Sequence, residues 1–323
     1  MILDIARHKF HEGIITLLLI TAATLLAADS LSCDIAPTAP LARAFDTFAR
    51  EHGAWSMVLA ALMMLTCAMN LTRATLRSGI YTFNTMATMS LTALMLAVAT
   101  CHEGMLPSLV AATLACEAVA RILRSRRGSH QLHYTFTAML AVGCMPLVDS
   151  ALLVVVFMAM FLVVFATRTL RRTIIAYAGL LLPIAIYGYV CWCKGEGFVQ
   201  SIVALWDMML MPTTQPITYD MGHPHLLFAS IMLFAALLGL IYRHTQSAAV
   251  QHNTRYTLDV LFAMAIVLAA IFAMLPSAGS TSLVAVGAMM LPITPLFFQY
   301  APILLAIATY VAMLISAGFV LVG

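Results

Sequence analysis

The sequence predicts an all-α fold, a polytopic bundle of transmembrane helices. Three observations predict it. Of 323 residues, 63% are hydrophobic and only 9% are charged. A soluble domain carries about 25% charged residues, so most of this chain's surface must meet lipid. Apolar runs of about 14 to 22 residues recur along the chain, many of them long enough to cross ~30 Å of hydrocarbon at ~1.5 Å per residue. Finally, the runs do not alternate apolar with polar residues. That excludes a membrane β-barrel and leaves helices, the other way to satisfy a backbone in lipid.

About eleven spans are expected, within a single integral membrane domain. The first covers 13–28. Arg7 and Lys9 precede it and Ala27-Ala28-Asp29-Ser30 ends it, so it resembles a secretory signal, here read as a retained first helix. Residues 29–53 form an outer polar loop. In it Leu41, Ala44, Phe45 and Phe48 recur at helical spacing beside Arg43, Asp46, Arg50 and Glu51, the pattern of an amphipathic helix lying on a membrane surface. Spans two to five cover 54–71, 81–100, 106–123 and 134–148. Spans six and seven, 151–167 and 173–192, form a hairpin around the basic turn of Arg168, Arg171 and Arg172. Gly179 and Pro183 in the seventh invite a kink or a close helix contact. The stretch 198–211 carries Asp207 and ends at Pro212, and at this length reads as interfacial or re-entrant. Spans eight and nine cover 224–242 and 256–275. Span ten, 282–298, contains Pro292 and Pro295 and is expected to be broken. Span eleven covers 301–322. There is no internal repeat and no linker that divides the chain.

Charge sets the expected orientation. With the N-terminus in the cytoplasm, alternation puts 13 of the 16 Lys and Arg residues inside and leaves only Arg43, Arg50 and Lys194 outside. The bias of Lys and Arg toward cytoplasmic loops favours this orientation. Nine of the 13 acids fall on the outer side, a segregation that the rule itself does not demand.

The outer face therefore holds the candidates for chemistry. Asp34, Asp46, Glu51 and His52 are candidate catalytic groups, since carboxylates and imidazoles can share acid–base work. His102, Glu103, Asp149, His223 and His225 are candidate metal ligands, although none has the spacing of a helix-borne zinc motif. The plain alternative is that helix ends are polar because they meet water. On the inner face, Arg168, Arg171 and Arg172 are candidates for binding lipid phosphate, as are Arg43 and Arg50 outside; the plain alternative is that they only fix orientation. Asp259 lies about one turn inside span nine, in reach of water or of Arg255 four residues back. Cys191-Trp192-Cys193 is the only close cysteine pair among seven scattered cysteines, which excludes a full disulfide framework. No P-loop, dinucleotide fingerprint or nucleophile elbow is present, and no basic block points to nucleic acid. No cofactor is indicated.

The segment LTALMLAVATCHEGMLPSLVAATLACEAVARIL, with FTAMLAVGCMPLVDSALLVVVFMAMFLVVFATRTLRRTIIAYAGLLLPIAIYGYVCW after it, resembles the DUF6427 family of Bacteroidota membrane proteins. The shared features are a helix ending in basic residues, a small-residue helix, an Arg-rich turn and a "GLLLP" helix. The resemblance covers roughly 81–195 and implies a bacterial inner-membrane location, with no assigned activity. The order of one crossing, an acidic outer loop with a surface helix and then many spans is similar to the plan of GT-C glycosyltransferases. That likeness implies a loop acid as base or metal ligand and a basic residue, Arg43 or Arg50, on a polyprenyl phosphate carrier. The chain departs from the plan in being short and lacking an outer C-terminal domain.

The expected function is thus a membrane-embedded step on lipid-linked glycans or envelope lipids. The partners would be membrane lipids, a polyprenyl-phosphate carrier and other proteins of an envelope complex. The alternatives are a non-enzymatic subunit of such a complex and a transporter, the latter suggested by the proline-broken spans.

Overall fold

The computed structural model describes residues 10–27, 39–81, 85–100, 105–125, 131–166, 169–210, 223–245, 252–275 and 280–322. Among them every regular element is helical. The chain opens with α1 (Phe10–Ala27), α2 (Pro40–Glu51), α3 (Gly53–Ser78), α4 (Ala87–Thr100), α5 (Met105–Arg124) and α6 (Gln131–Val148). A 3-10 turn, Ser150–Leu152, leads into α7 (Leu153–Ala166), and α8 (Leu170–Cys193) and α9 (Phe198–Leu210) follow. Then come α10 (His223–Thr245), α11 (His252–Met274), α12 (Ser280–Met290), α13 (Thr294–Tyr300) and α14 (Ile303–Val322).

Among the described residues seven helices are long and apolar enough to cross a membrane: α1, α3, α5, α8, α10, α11 and α14. The pair α12 and α13 passes the same test but is bent by 42°. Proline explains the break. Pro292 lies in the turn between the two helices and Pro295 opens α13, where a missing N–H costs nothing. The helices α4, α7 and α9 are shorter. Large apolar side chains such as Leu19, Phe161, Leu304 and Phe319 stand exposed on the outside, as suits a bundle dissolved in lipid.

The centre of the bundle is α4. Every side chain from Ala87 to Val98 is buried, because α1, α3, α5, α12 and α14 all pack around it. The helix is only 14 residues long, since the chain does not become helical at Tyr81, where span three was expected to start. Instead Tyr81 sits in the turn after α3. Its hydroxyl donates to the carbonyl of Pro292 at 3.0 Å and lies 3.0 Å from Thr88 Oγ1. The buried Ser90 and Thr92 donate back to Ala87 and Thr88 carbonyls one turn earlier, which satisfies hydroxyls that have no water.

The most extensive helix pair is α6 with α8. Its residues explain the fit. A side chain at Gly143 would collide with the carbonyl of Leu180, and one at Gly179 with the carbonyl of Phe136. Two facing glycines thus let the backbones touch. Helix α8 runs unbroken through Pro183, and the close contact expected in this stretch is observed at Gly179.

Helix α2 packs on α3, α5 and α6. Its buried residues are Ala42, Asp46 and Ala49, whereas of the apolar stripe read from the spacing Leu41, Phe45 and Phe48 are partly buried and Ala44 is exposed.

Candidate functional site

Two ends of the bundle can be followed through their polar contacts. At one end the Asp149 carboxylate caps the 3-10 turn, accepting from the Ala151 N–H at 2.9 Å, and accepts a second bond from the Thr281 hydroxyl at the start of α12. Both oxygens of Asp149 are engaged in holding helix ends together. Asp46 is buried under α2 and pairs with Arg50 one turn on, Oδ2 to Nε at 3.0 Å. A candidate catalytic acid and a candidate phosphate-binding base thus face each other. Glu51 and His52 are exposed at the α2–α3 junction, and the His52 ring rests edge-on against Phe48 at 5.3 Å. Arg43 is exposed on α2. His225 is buried in the first turn of α10, which His223 opens. Asp34, His102, Glu103 and Arg168 lie outside the described residues.

No three of His, Cys, Asp and Glu come together as a metal-sized cluster among the described residues. Cys191 is buried and Cys193 exposed, so the C-x-C pair is divided between core and surface. Asp259 meets His244 of α10, at 3.2 Å; the side chain of Arg255 lies outside the described residues.

The opposite end gathers arginines. Arg172, half-buried on the first turn of α8, donates from Nε to Thr135 Oγ1 at 3.2 Å and from Nη2 to Ser125 Oγ at 3.3 Å. Arg124 donates from Nη2 to the carbonyl of Asn70 on α3 at 3.3 Å. Its Nε is buried with no hydrogen-bond partner among the described residues. Arg77 and Arg121 stand close enough to act on Arg124 electrostatically. Glu117 is taken by Arg121, which also lies 6.0 Å from the Tyr134 ring. Among the described residues no carboxylate lies within ion-pair reach of Arg124, Arg171 or Arg172. Among the described residues the ends of α3, α5 and α8 thus present several guanidinium groups with a single local acid bonded among them, and α6 supplies the Thr135 hydroxyl. Such a surface can hold an oxyanion through charge-assisted bonds.

Sequence reasoning singled out Arg171 and Arg172 but not Ser125, Thr135 and Asn70, which hold the guanidiniums in place. The hydroxyls of Thr72, Thr75, Thr88 and Thr92 recur at helical spacing, and that stripe is the signal that marks the buried α3–α4 seam.

No protein-family profile, curated protein or solved structure matches this chain.

Proposed function

We propose that the chain is a multispanning protein of a bacterial inner membrane that binds a phosphate-headed envelope lipid, of the kind that carries glycans. The N-terminus lies in the cytoplasm. Eleven crossings follow if α4, α6 and α7 and the bent α12–α13 pair span along with the seven long helices. The observation that supports the reading is the arginine-bearing end, where Arg77, Arg121 and Arg124 lie near one another with one bonded carboxylate and Arg172 is bonded to Ser125, the residue after Arg124. Guanidinium forks suit phosphate oxygens, and basic pockets between helices at the cytoplasmic side suit lipid headgroups.

Purification in mild detergent followed by mass spectrometry tests it. The wild type should retain phospholipid or polyprenyl phosphate, and R124Q/R172Q should lose most of it. A stoichiometric protein partner with no retained lipid would replace this reading with that of a scaffold subunit. Glycosyl transfer is a further step that needs an outer acid. Replacing Asp34, Asp46 and Glu51 one at a time should abolish envelope glycan assembly in at least one case, and normal glycans in all three variants remove the enzyme.

A transporter is the second reading, supported by the break between α12 and α13 beside buried hydroxyls. Discontinuous helices are where transporters bind substrate. Under this reading Y81F alters solute flux in proteoliposomes and leaves lipid retention unchanged.

A further inference from the structure

We propose that α10, α13 and α14 form one unit that pivots against the rest of the bundle on the turn 291–293, with the Tyr81 hydroxyl as its catch. The pivot is independent of the lipid reading, because Arg77, Arg121, Arg124 and Arg172 lie on α3, α5 and α8 and none of them on the unit. The packing changes partners at the turn. Helix α12 packs chiefly on α5, α11 and α4, whereas α13 packs chiefly on α10. The axis bends by 42° between the two. Each half of the broken helix thus belongs to a different neighbourhood.

The prolines make the turn a place to bend. In an unbroken helix residue 292 donates to the Ala288 carbonyl and residue 295 to the Leu291 carbonyl. Pro292 and Pro295 have no N–H to give, so two rungs of the ladder that would stiffen the joint are missing. The bonds at the turn are local ones. The Ile293 N–H donates to the Met290 carbonyl at 2.9 Å, and the Thr294 hydroxyl to the same oxygen at 3.0 Å. The unit itself is tied tightly. A Cβ at Gly239 would meet the Phe297 nitrogen at 2.9 Å and the Ile293 carbonyl oxygen at 3.1 Å, so the backbones of α10 and α13 touch. Phe298 of α13 meets Tyr310 of α14 edge-on, with ring centroids 6.1 Å apart, and α14 packs along α10. An interior so closely packed moves as one piece.

The boundary is thin by comparison. Among the described residues α10 and α11 follow one another in sequence yet do not pack along their length. They meet at one end, where His244 lies 3.2 Å from Asp259 and neither side chain is buried. Elsewhere α10 touches α12 and α4 over short stretches, and α14 leans on α4 and α1. The catch sits in the pivot itself. The Tyr81 hydroxyl, from the turn between α3 and α4, donates to the Pro292 carbonyl at 3.0 Å and lies 3.0 Å from Thr88 Oγ1. One phenol thus ties the middle of the pivot to the main body. Swinging the unit outward parts α10 from α11 and breaks this bond, so the bond is made in one position only. Rocking of one bundle against another is also the motion that the transporter reading needs.

The test is double electron–electron resonance on the full chain in lipid vesicles. The seven native cysteines are replaced by alanine, and spin labels are placed at the exposed residues Phe234, Ile266 and Ile315. F234C/I266C spans α10 and α11 and should show two distances. F234C/I315C lies within the unit and should show one, narrow and common to every variant. Y81F should raise the share of the longer distance across the boundary about threefold, the factor that one hydrogen bond within a membrane protein is worth. P292A/P295A restores both donors and should leave a single distance there. Hydrogen exchange of the unlabelled protein decides the matter where a labelled variant does not fold. Y81F should speed exchange over 291–297 several-fold and leave α5 unchanged. A single distance across the boundary in both wild type and Y81F overturns the pivot, as does a distance within the unit that shifts as far as the one across it. Equal exchange in wild type and Y81F overturns the catch. Lipid retention should be the same in Y81F as in wild type, and R124Q/R172Q should shed lipid with both distances unchanged, so the pivot and the lipid reading fail separately.

Discussion

Asp149 shows how far a single carboxylate can be read from sequence. Its place at a helix end identifies it as polar and near water, and its chemistry admits a metal. In the fold its two oxygens serve Ala151 and Thr281, 132 residues apart in sequence, so it is a clasp between the α6–α7 turn and α12. Losing it should cost about 1–2 kcal/mol, the range for a lost cap plus a hydrogen bond. D149A and T281A should therefore be non-additive in a double-mutant cycle of thermal unfolding, and strict additivity would refute the clasp. Tyr81 is the corresponding residue at the α3–α4 turn. Burial pushes its phenol well above the ordinary tyrosine range, because the charged form is poorly solvated there. A raised value favours the protonated fold, so the contribution is complete at neutral pH and is lost only as pH climbs through the raised value. Y81F should destabilise by roughly 0.6 kcal/mol, the mean for such bonds in membranes, and the difference from wild type should be flat from pH 6 to about 9.

At the scale of elements, hydropathy and proline were legible and pairing was not. Helix α8 and the broken α12–α13 pair follow from apolar length and from Pro292 and Pro295. The start of α4 did not, because hydropathy counts Tyr81 as apolar while its hydroxyl reaches a carbonyl 211 residues away. The facing glycines were half legible. Gly179 stands out in a sequence, but that it meets Phe136 while Gly143 meets Leu180 depends on the register of two helices. Gly143→Leu should force α6 from α8 at a cost of about 1–3 kcal/mol, the range for overpacking. The measurement is a lowered unfolding temperature in detergent. A fully tolerated leucine would show that the helices are not in contact there.

At the scale of the molecule, the basic ends of α3, α5 and α8 share one end of the bundle because a helix that crosses returns its successor to the opposite end. Alternation is legible in the arginines. Which arginines lie against which hydroxyls is not, since lateral neighbours are chosen by packing rather than by charge. The acids expected on the outer side illustrate the same limit, as Asp46 pairs with Arg50 and Asp149 with Thr281. Single cysteines test the orientation. E51C should react with a membrane-impermeant maleimide in intact cells and R171C only after permeabilisation. Equal reaction of both, or the reverse order, would invert the topology.

The enclosure of α4 has a consequence for how the protein is made. The insertion machinery releases segments sideways into the bilayer according to their apolarity. A 14-residue segment carrying Thr88, Ser90 and Thr92, with every side chain from Ala87 to Val98 buried, gains little from that release. Two of its neighbours, α12 and α14, are synthesised last. Until they emerge from the ribosome the segment lacks its full cover, so chains truncated before Ser280 should be recognised by membrane quality control and degraded faster than the complete protein.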